Sequence, residues 1–194
     1  MSQTKKLKVA FDMDGVLLYN PTRIFRSLIA KGKQAHVLPR QQLEFYHPSN
    51  HLEEIFWLST HWSSFKLNRG FNVLLNMIKA NQIEAYVVSA RFACLRKNSQ
   101  RWLKKMQAEQ LFKAVYLNDQ DEQPHLFKTR MAQQLKVDYF VEDNFDVAHY
   151  LSQNLADGEE KVLWLSNKLD YHQAFKHKFK SFRQVMAFLA AKFD

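Results

Sequence analysis

Residues 7–15, LKVAFDMDG, join a short apolar run to two carboxylates and a glycine. A run of this length that stops at charged residues predicts a buried β-strand. Asp12 and Asp14 are two positions apart, so their side chains lie on the same side of an extended chain. Gly15 permits a tight turn directly afterwards. The stretch therefore predicts a strand that brings two carboxylates to its carboxyl end.

Four more apolar runs follow along the chain, separated by segments in which apolar residues recur at helical spacing. We predict that they are strands, at residues 85–88, 114–117, 139–141 and 162–165. Strands that alternate with helices predict an α/β fold, in which a parallel sheet carries helices on both faces. In such sheets the ligand binds beside the carboxyl ends of the strands. This rule places the expected site at the end of the first strand.

The composition limits the class of protein. The 194 residues are enough for one domain with its own core, and the net charge of +9 suits anionic ligands, although charge also serves solubility alone. Cys94 is the only cysteine, which excludes an internal disulfide and a cysteine-rich zinc site. The apolar run before Asp12 is too short for a signal peptide or a membrane span. We therefore expect a cytoplasmic protein without a membrane partner.

Polar residues follow two further strands of the predicted sheet. Ser89, Ala90 and Arg91 come after the second strand, where a hydroxyl and a positive charge could bind phosphoryl oxygens. Lys128 lies in the helical segment before the fourth strand, and residues 142–144 follow that strand with two more carboxylates. Each of these residues alone has an ordinary structural explanation, as part of a turn, a helix cap or a solvated charge. Together at one sheet edge they predict a functional site.

Residues 20–66 break the alternation of strands and helices. Asn20 and Pro21 suit the first positions of a helix, and aromatic residues are frequent afterwards. We predict a small helical cap at 20–66, inserted into a core formed by 1–19 and 67–194. Six side chains near the expected active site are candidates for contacting a substrate: Tyr19, Arg23, Arg26, Phe45, Tyr46 and Trp57.

The ordered set of Asp12-x-Asp14-Gly15, Ser89, Lys128 and Glu142-Asp143 resembles the four motifs of the haloacid dehalogenase (HAD) superfamily. The resemblance spans nearly the whole chain, and it implies a Rossmann-like sheet with a cap inserted after the first strand. It also implies phosphatase activity, because dehalogenases of the superfamily lack the second aspartate of the first motif.

Within the superfamily, the sequence is most similar to small 5′-nucleotidase-like members. Residues 88–91 resemble their hydroxyl-x-Arg strand end, residues 142–146 resemble their acidic motif, and Ser181-Phe182 matches the start of their last helix. Two positions depart from the pattern, since Glu142 replaces an aspartate and Phe182 stands where tryptophan is frequent.

The resemblance also implies a mechanism. Asp12 would attack phosphorus and form an aspartyl-phosphate, while Asp14 would protonate the leaving group and then deprotonate water. Magnesium would bind Asp12, the backbone carbonyl of Asp14, and Asp143. Phosphate would bind Ser89, Ala90, Arg91 and Lys128, while Glu142, Asn144 and Asp146 would support the metal ligands, with helix capping favoured for Asn144.

The function expected from the sequence is magnesium-dependent hydrolysis of a phosphomonoester on a small molecule, with a nucleoside monophosphate as the first substrate to consider. Phosphoproteins and sugar phosphates are alternative substrates. A non-enzymatic alternative is a basic module that binds a nucleic acid or a protein, since residues 91–105 carry six positive charges. A solvated helix face explains those charges better. His47 and His51 have the spacing of metal ligands, but the intervening Pro48 favours a surface role.

Overall fold

The computed structural model describes residues 6–21, 43–45, 47–48, 50–61 and 66–193. Its strands, in chain order, are β1 Leu7–Phe11, β2 Leu18–Tyr19, β3 Lys66–Leu67, β4 Ile83–Ser89, β5 Ala114–Leu117, β6 Tyr139–Glu142, β7 Val162–Leu165 and β8 Lys178–Phe179. Its helices are α1 His51–His61, α2 Phe71–Lys79, α3 Arg96–Lys105, α4 Ala108–Leu111, α5 Pro124–Leu135, α6 Phe145–Asn154, α7 Gly158–Lys161 and α8 Phe182–Ala190.

Six strands form one parallel sheet in the order β5-β4-β1-β6-β7-β8. The strand β1 lies inside the sheet, where Leu7 pairs with Ile83 of β4 and Val9 pairs with Tyr139 of β6. All five strands predicted from the sequence are present, which confirms the predicted fold class. The sequence missed β8, because a two-residue strand with a lysine has no apolar run to reveal it.

Apolar side chains cover both faces of this sheet. Val9 and Phe11 of β1 pack into a cluster with residues of α2, α3 and α8, whereas Ala10 belongs to a second cluster with residues of α5 and α6. The alternation along β1 follows from the two-residue repeat of a strand. Both clusters are buried, so the sheet is a rigid platform and its carboxyl edge is fixed in position.

Two strands end one residue beyond the predicted apolar runs, each on a polar residue. Ser89 of β4 pairs with Leu117 of β5, and Glu142 of β6 pairs with Trp164 of β7. The sheet therefore holds both polar side chains in register. Polarity alone does not end a strand when its backbone still pairs with a neighbour.

The two ends of the segment predicted to be a cap lie side by side. Leu18 pairs with Leu67, and Tyr19 pairs with Lys66, in a small antiparallel sheet. Helix α1 lies inside the segment, as its sequence predicts, but residues 22–42, 46, 49 and 62–65 lie outside the described part of the chain. Arg23, Arg26 and Tyr46 are among them, and so is the side chain of Trp57.

Candidate active site

The carboxyl end of β1 places Asp12 at the edge of the sheet. Its backbone N–H donates to the carbonyl of Val141, 3.0 Å away, which extends the pairing of β1 with β6 by one residue. Its Oδ1 accepts a hydrogen bond from the backbone N–H of Met13 at 2.8 Å. The side chain is buried, so its orientation is determined by the strand and the following turn.

Three carboxylates meet at this edge. Asp12, Glu142 and Asp143 each offer an oxygen, and these oxygens lie within 4.8 Å of one another. Asp12 comes from β1, whereas Glu142 and Asp143 come from the end of the neighbouring strand β6. All three residues are buried. The structure places Asp12 close to Asp143, the two side chains predicted to bind the metal, and it places Glu142, predicted to support them, within the same 4.8 Å.

Lys128 supplies a positive charge to the acidic cluster. Its Nζ lies 3.1 Å from Asp12 Oδ2 and 2.5 Å from Glu142 Oε2. Helix α5 carries this lysine on its inward face, beside the buried Phe127 and Met131. If all three carboxylates were ionised, their charge would exceed that of this one ammonium in a site shielded from water.

Burial and neighbouring charges set the protonation of this cluster. Burial raises the pKa of Asp12 well above its ordinary value, against the opposing effect of Lys128. Burial likewise raises the pKa of Glu142, which Lys128 opposes and Asp143 reinforces. Burial alone would lower the pKa of Lys128, but Asp12 and Glu142 together raise it above its ordinary value. The carboxylates therefore favour a cation or a proton, while the lysine stays charged.

The cluster is suited to a divalent cation. Its ligands are carboxylate oxygens, which magnesium and calcium prefer, and within the described residues it contains no thiolate or imidazole. Gly15 lies against this group, since a Cβ at this position would overlap Oδ2 and Cγ of Asp143. The glycine has a φ of +79°, so both its backbone and its lack of a side chain fit the close approach.

The carboxylate of Asp14 has a different partner. Its two oxygens accept hydrogen bonds from Nε and Nη2 of Arg91, at 2.6 and 2.7 Å. This is the bidentate geometry that a guanidinium and a carboxylate favour. The side chains of Asp14 and Arg91 are 7% and 2% exposed, so water hardly competes for either.

The remaining guanidinium nitrogen of Arg91 is held by α3. Its Nη1 donates to Asn98 Oδ1 at 2.8 Å and makes a longer contact of 3.4 Å with Ser99 Oγ. Every nitrogen of the guanidinium therefore has an acceptor within the protein. Sequence reasoning missed Asn98 and Ser99, although two adjacent polar residues on the inward face of a basic helix were a usable signal.

Ser89 and Ala90 lie at the end of β4, next to β1 in the sheet. Ser89 is buried, and its Oγ has no hydrogen-bond partner among the described residues. A buried hydroxyl without a partner is costly unless a ligand or water binds it. Ala90 is half-buried and packs against the apolar cluster on one face of the sheet.

Asn144 caps helix α6 directly after the acidic cluster. Its Oδ1 accepts hydrogen bonds from the backbone N–H groups of Asp146 and Val147, at 3.0 and 3.4 Å. Its own N–H donates to Glu142 Oε1 at 3.0 Å, which joins the cap to the site. Asp146 lies in the first turn of α6, where a negative charge interacts favourably with the helix dipole.

The two histidines with metal-ligand spacing bind separate carboxylates. His47 Nε2 lies 3.1 Å from Asp121 Oδ2, and His51 Nδ1 lies 3.4 Å from Glu54 Oε2. Neither histidine joins the acidic cluster, and the side chain of His51 is 84% exposed. This arrangement agrees with the surface role that the sequence favoured.

The fold is shared with solved structures of HAD hydrolases. A Thermotoga maritima protein assigned as a β-phosphoglucomutase superposes with a TM-score of 0.59 at 14% identity, covering 95% of this chain and 99% of that one. A family IA HAD hydrolase from Entamoeba histolytica superposes with a TM-score of 0.56 at 15% identity, with the same coverage of both chains.

This chain has the HAD fold. CbbY from Rhodobacter sphaeroides, solved with phosphate, is a third similar structure, with a TM-score of 0.54, 12% identity, and coverage of 93% of this chain and 96% of that one. No protein-family profile and no curated protein sequence matches the chain. At these identities the likeness extends to the HAD fold and leaves the 5′-nucleotidase-like subtype without support. None of the helices described here has the length and apolarity to cross a membrane.

Proposed function

We propose that the protein is a magnesium-dependent phosphomonoester hydrolase of the HAD type. The observation that carries the proposal is the buried group of Asp12, Glu142 and Asp143, with Lys128 in contact, at the carboxyl edge of the sheet. Such a site attracts a divalent cation and, through it, a phosphate dianion that three carboxylates alone would repel. The HAD fold of the chain agrees with this chemistry.

Asp12 is the proposed nucleophile. Its carboxylate lies at the end of the central strand, oriented by the N–H of Met13 and by Lys128. A bound magnesium ion, held by Asp12, Asp143 and the backbone carbonyl of Asp14 with Glu142 close by, would offset the charge of the nucleophile and the phosphate. Asp12 then attacks phosphorus in line with the leaving oxygen, and water hydrolyses the aspartyl-phosphate.

Two side chains are proposed to hold the phosphoryl oxygens. The Oγ–H of Ser89 is buried beside β1 and available to donate a hydrogen bond. Lys128 Nζ already contacts Asp12 and stays charged, so it can stabilise negative charge on the phosphoryl group as the bond to Asp12 forms. The backbone of Ala90 follows Ser89 and is a third proposed donor.

We propose that the substrates are phosphomonoesters of small molecules. A nucleoside monophosphate is the substrate expected from the subtype resemblance, while CbbY, which is similar in fold, has been solved with xylulose 1,5-bisphosphate. Sugar phosphates therefore have equal priority. We propose residues 20–66 as the cap that selects between them, since both ends of this segment meet in the hairpin of β2 and β3, within a few residues of Asp14.

The test is hydrolysis of p-nitrophenyl phosphate by the purified protein. We expect activity with magnesium, loss of activity in EDTA, and recovery when magnesium is restored, because the carboxylates otherwise repel the substrate. Asp12→Asn should abolish turnover while circular dichroism stays unchanged, since an amide keeps the shape but cannot attack phosphorus.

A matched control is Asp138→Asn. Asp138 precedes β6 at the opposite edge of the sheet, where its carboxylate accepts a hydrogen bond from the N–H of Lys8. This variant should keep wild-type activity. Full activity in EDTA would contradict the proposed metal dependence, and near wild-type turnover by Asp12→Asn would contradict the proposed nucleophile. Absence of hydrolysis by the wild type with magnesium would favour the non-enzymatic binding module. Initial rates on sugar phosphates, nucleoside monophosphates and phosphopeptides would then rank the substrate classes.

A further inference from the structure

Asp14 and Arg91 form a charge pair beside the acidic cluster of Asp12, Glu142 and Asp143. Both side chains are more than nine-tenths buried, and two hydrogen bonds of 2.6 and 2.7 Å join them. A pair with this geometry fixes the position and the rotation of the carboxylate, because both of its oxygens are constrained at once. Without this pair, the carboxylate of Asp14 could adopt other side-chain rotamers.

Arg91 is in turn held by a helix rather than by solvent. Asn98 and Ser99 are buried on α3, and their oxygens accept from Nη1 of Arg91. The chain of contacts therefore runs from the apolar packing of α3, through Arg91, to Asp14. With its three nitrogens already hydrogen-bonded to the protein, Arg91 is poorly placed to serve as a main phosphate ligand, the role that its motif predicts.

We propose that Arg91 is a positioning residue that orients Asp14 for proton transfer to the leaving group. The inference rests on the proposed phosphatase function. In the first half-reaction a bond forms between Asp12 and phosphorus as the ester P–O bond breaks, and the leaving oxygen takes a proton from Asp14. In the second, water attacks phosphorus and gives its proton to Asp14, and the bond to Asp12 breaks.

Orientation by Arg91 is compatible with proton transfer. A carboxylate has about four acceptor positions on its two oxygens, and a bidentate arginine uses two of them. The two hydrogen bonds from Arg91 therefore do not by themselves prevent Asp14 from carrying or receiving a proton. Orientation of a catalytic group is worth orders of magnitude in rate, so its loss should be measurable.

Two substrates of similar size separate positioning from phosphate binding. p-Nitrophenyl phosphate releases a stable phenolate that needs no proton, whereas benzyl phosphate releases an alkoxide that must be protonated as it leaves. General acid catalysis contributes about 10²- to 10⁴-fold. We therefore expect Arg91→Lys to lower kcat/KM for benzyl phosphate by about 10²-fold or more, and for p-nitrophenyl phosphate by less than about threefold.

The ratio of the two kcat/KM values is the decisive readout. It does not depend on the fraction of folded enzyme, so partial misfolding of Arg91→Lys leaves the result interpretable. Asn98→Ala, which removes one anchor of Arg91, should change the ratio in the same direction by a smaller factor. Arg96→Lys is the matched control, since Arg96 pairs with the half-exposed Asp119 on the surface and should keep the wild-type ratio.

A double variant tests whether Arg91 acts through Asp14. Asp14→Asn alone should change the ratio at least as much as Arg91→Lys, and adding Arg91→Lys to it should change the ratio no further. Equal losses on both substrates, which leave the ratio unchanged, would assign Arg91 to phosphate binding and overturn this inference but not the proposed function. Wild-type rates on both substrates, or a relative gain on benzyl phosphate, would also overturn it. Inability of the wild type to hydrolyse either ester would overturn the proposed function, and this inference with it.

Discussion

At the scale of single residues, Gly15 determines how closely the acidic cluster can assemble. We expect Gly15→Ala to weaken magnesium binding by about 10-fold or more, because the new methyl group displaces the carboxylate of Asp143. Calorimetric titration with magnesium measures the affinity, and urea unfolding measures the accompanying loss of stability.

Gly70→Ala is the matched control for the Gly15 substitution. Gly70 also has a positive φ, of +105°. A Cβ added there would lie 3.3 Å from Arg183 rather than against the carboxylate of Asp143. Both substitutions introduce backbone strain, and only Gly15→Ala displaces a proposed metal ligand. Equal magnesium affinities in the two variants would contradict the role assigned to Gly15.

The sequence predicted which residues reach the site better than it predicted how they pair. Asp12, Lys128 and Asp143 follow from strand ends and motif order. The pairing of Asp14 with Arg91 does not, because a side chain of this length can reach phosphate or a neighbouring carboxylate from the same backbone position. The role of Glu142 was ambiguous for the same reason, since its carboxylate contacts Lys128 and also lies within 4.8 Å of the other two acids.

At the scale of elements, the first turn of α6 is coupled to the acidic cluster through Asn144. We expect Asn144→Ala to reduce the free energy of unfolding by about 1 kcal/mol, the usual cost of losing an N-cap. It should also weaken magnesium binding, because the N–H of residue 144 supports Glu142 and the freed helix end shifts that backbone. Urea unfolding and a magnesium titration check the two effects.

Ser181→Ala provides the comparison for the cap at α6. Ser181 caps α8 by accepting a hydrogen bond from the N–H of Gln184, away from the acidic residues. Its loss should cost a similar free energy of unfolding and leave magnesium affinity unchanged. If both variants bind magnesium as the wild type does, the cap at α6 serves stability alone.

Elements were predictable where apolar residues mark them. The strands β1, β5 and β7 have the predicted bounds, and the helical spacing noted between the predicted strands from residue 71 onwards corresponds to helices of the structure. The hairpin of β2 and β3 was missed because two-residue strands are defined by their pairing across the insertion, which no local pattern encodes. The predicted division into core and cap remains a prediction.

At the scale of the whole molecule, the acidic cluster links stability to pH and to metal. The raised pKa of Asp12 means that the folded state binds more protons than the unfolded state between about pH 4 and the raised folded-state pKa. Folded metal-free wild type should therefore lose stability relative to Asp12→Asn as pH rises, by up to about 1.4 kcal/mol per pH unit.

Urea unfolding of both proteins in EDTA between pH 5 and 8 measures this difference. The comparison cancels the pH-dependent contribution of groups that titrate in both proteins. One such group is His125, and burial lowers its pKa. Magnesium should stabilise the wild type more at pH 8 than at pH 5, because binding requires deprotonated carboxylates. A stability difference between the two proteins that is constant across this range would contradict the linkage.

The position of β1 inside the sheet has a consequence for how the chain is made. The strand β1 is synthesised before the other strands of its sheet, and its partner on β6 is roughly 130 positions later, which takes about 7 to 26 s to synthesise. During that time Val9, Ala10 and Phe11, all fully buried in the finished protein, lack one of their two neighbouring strands. The nascent chain therefore carries an open, apolar strand edge, so we expect slow folding and early fragments that tend to aggregate.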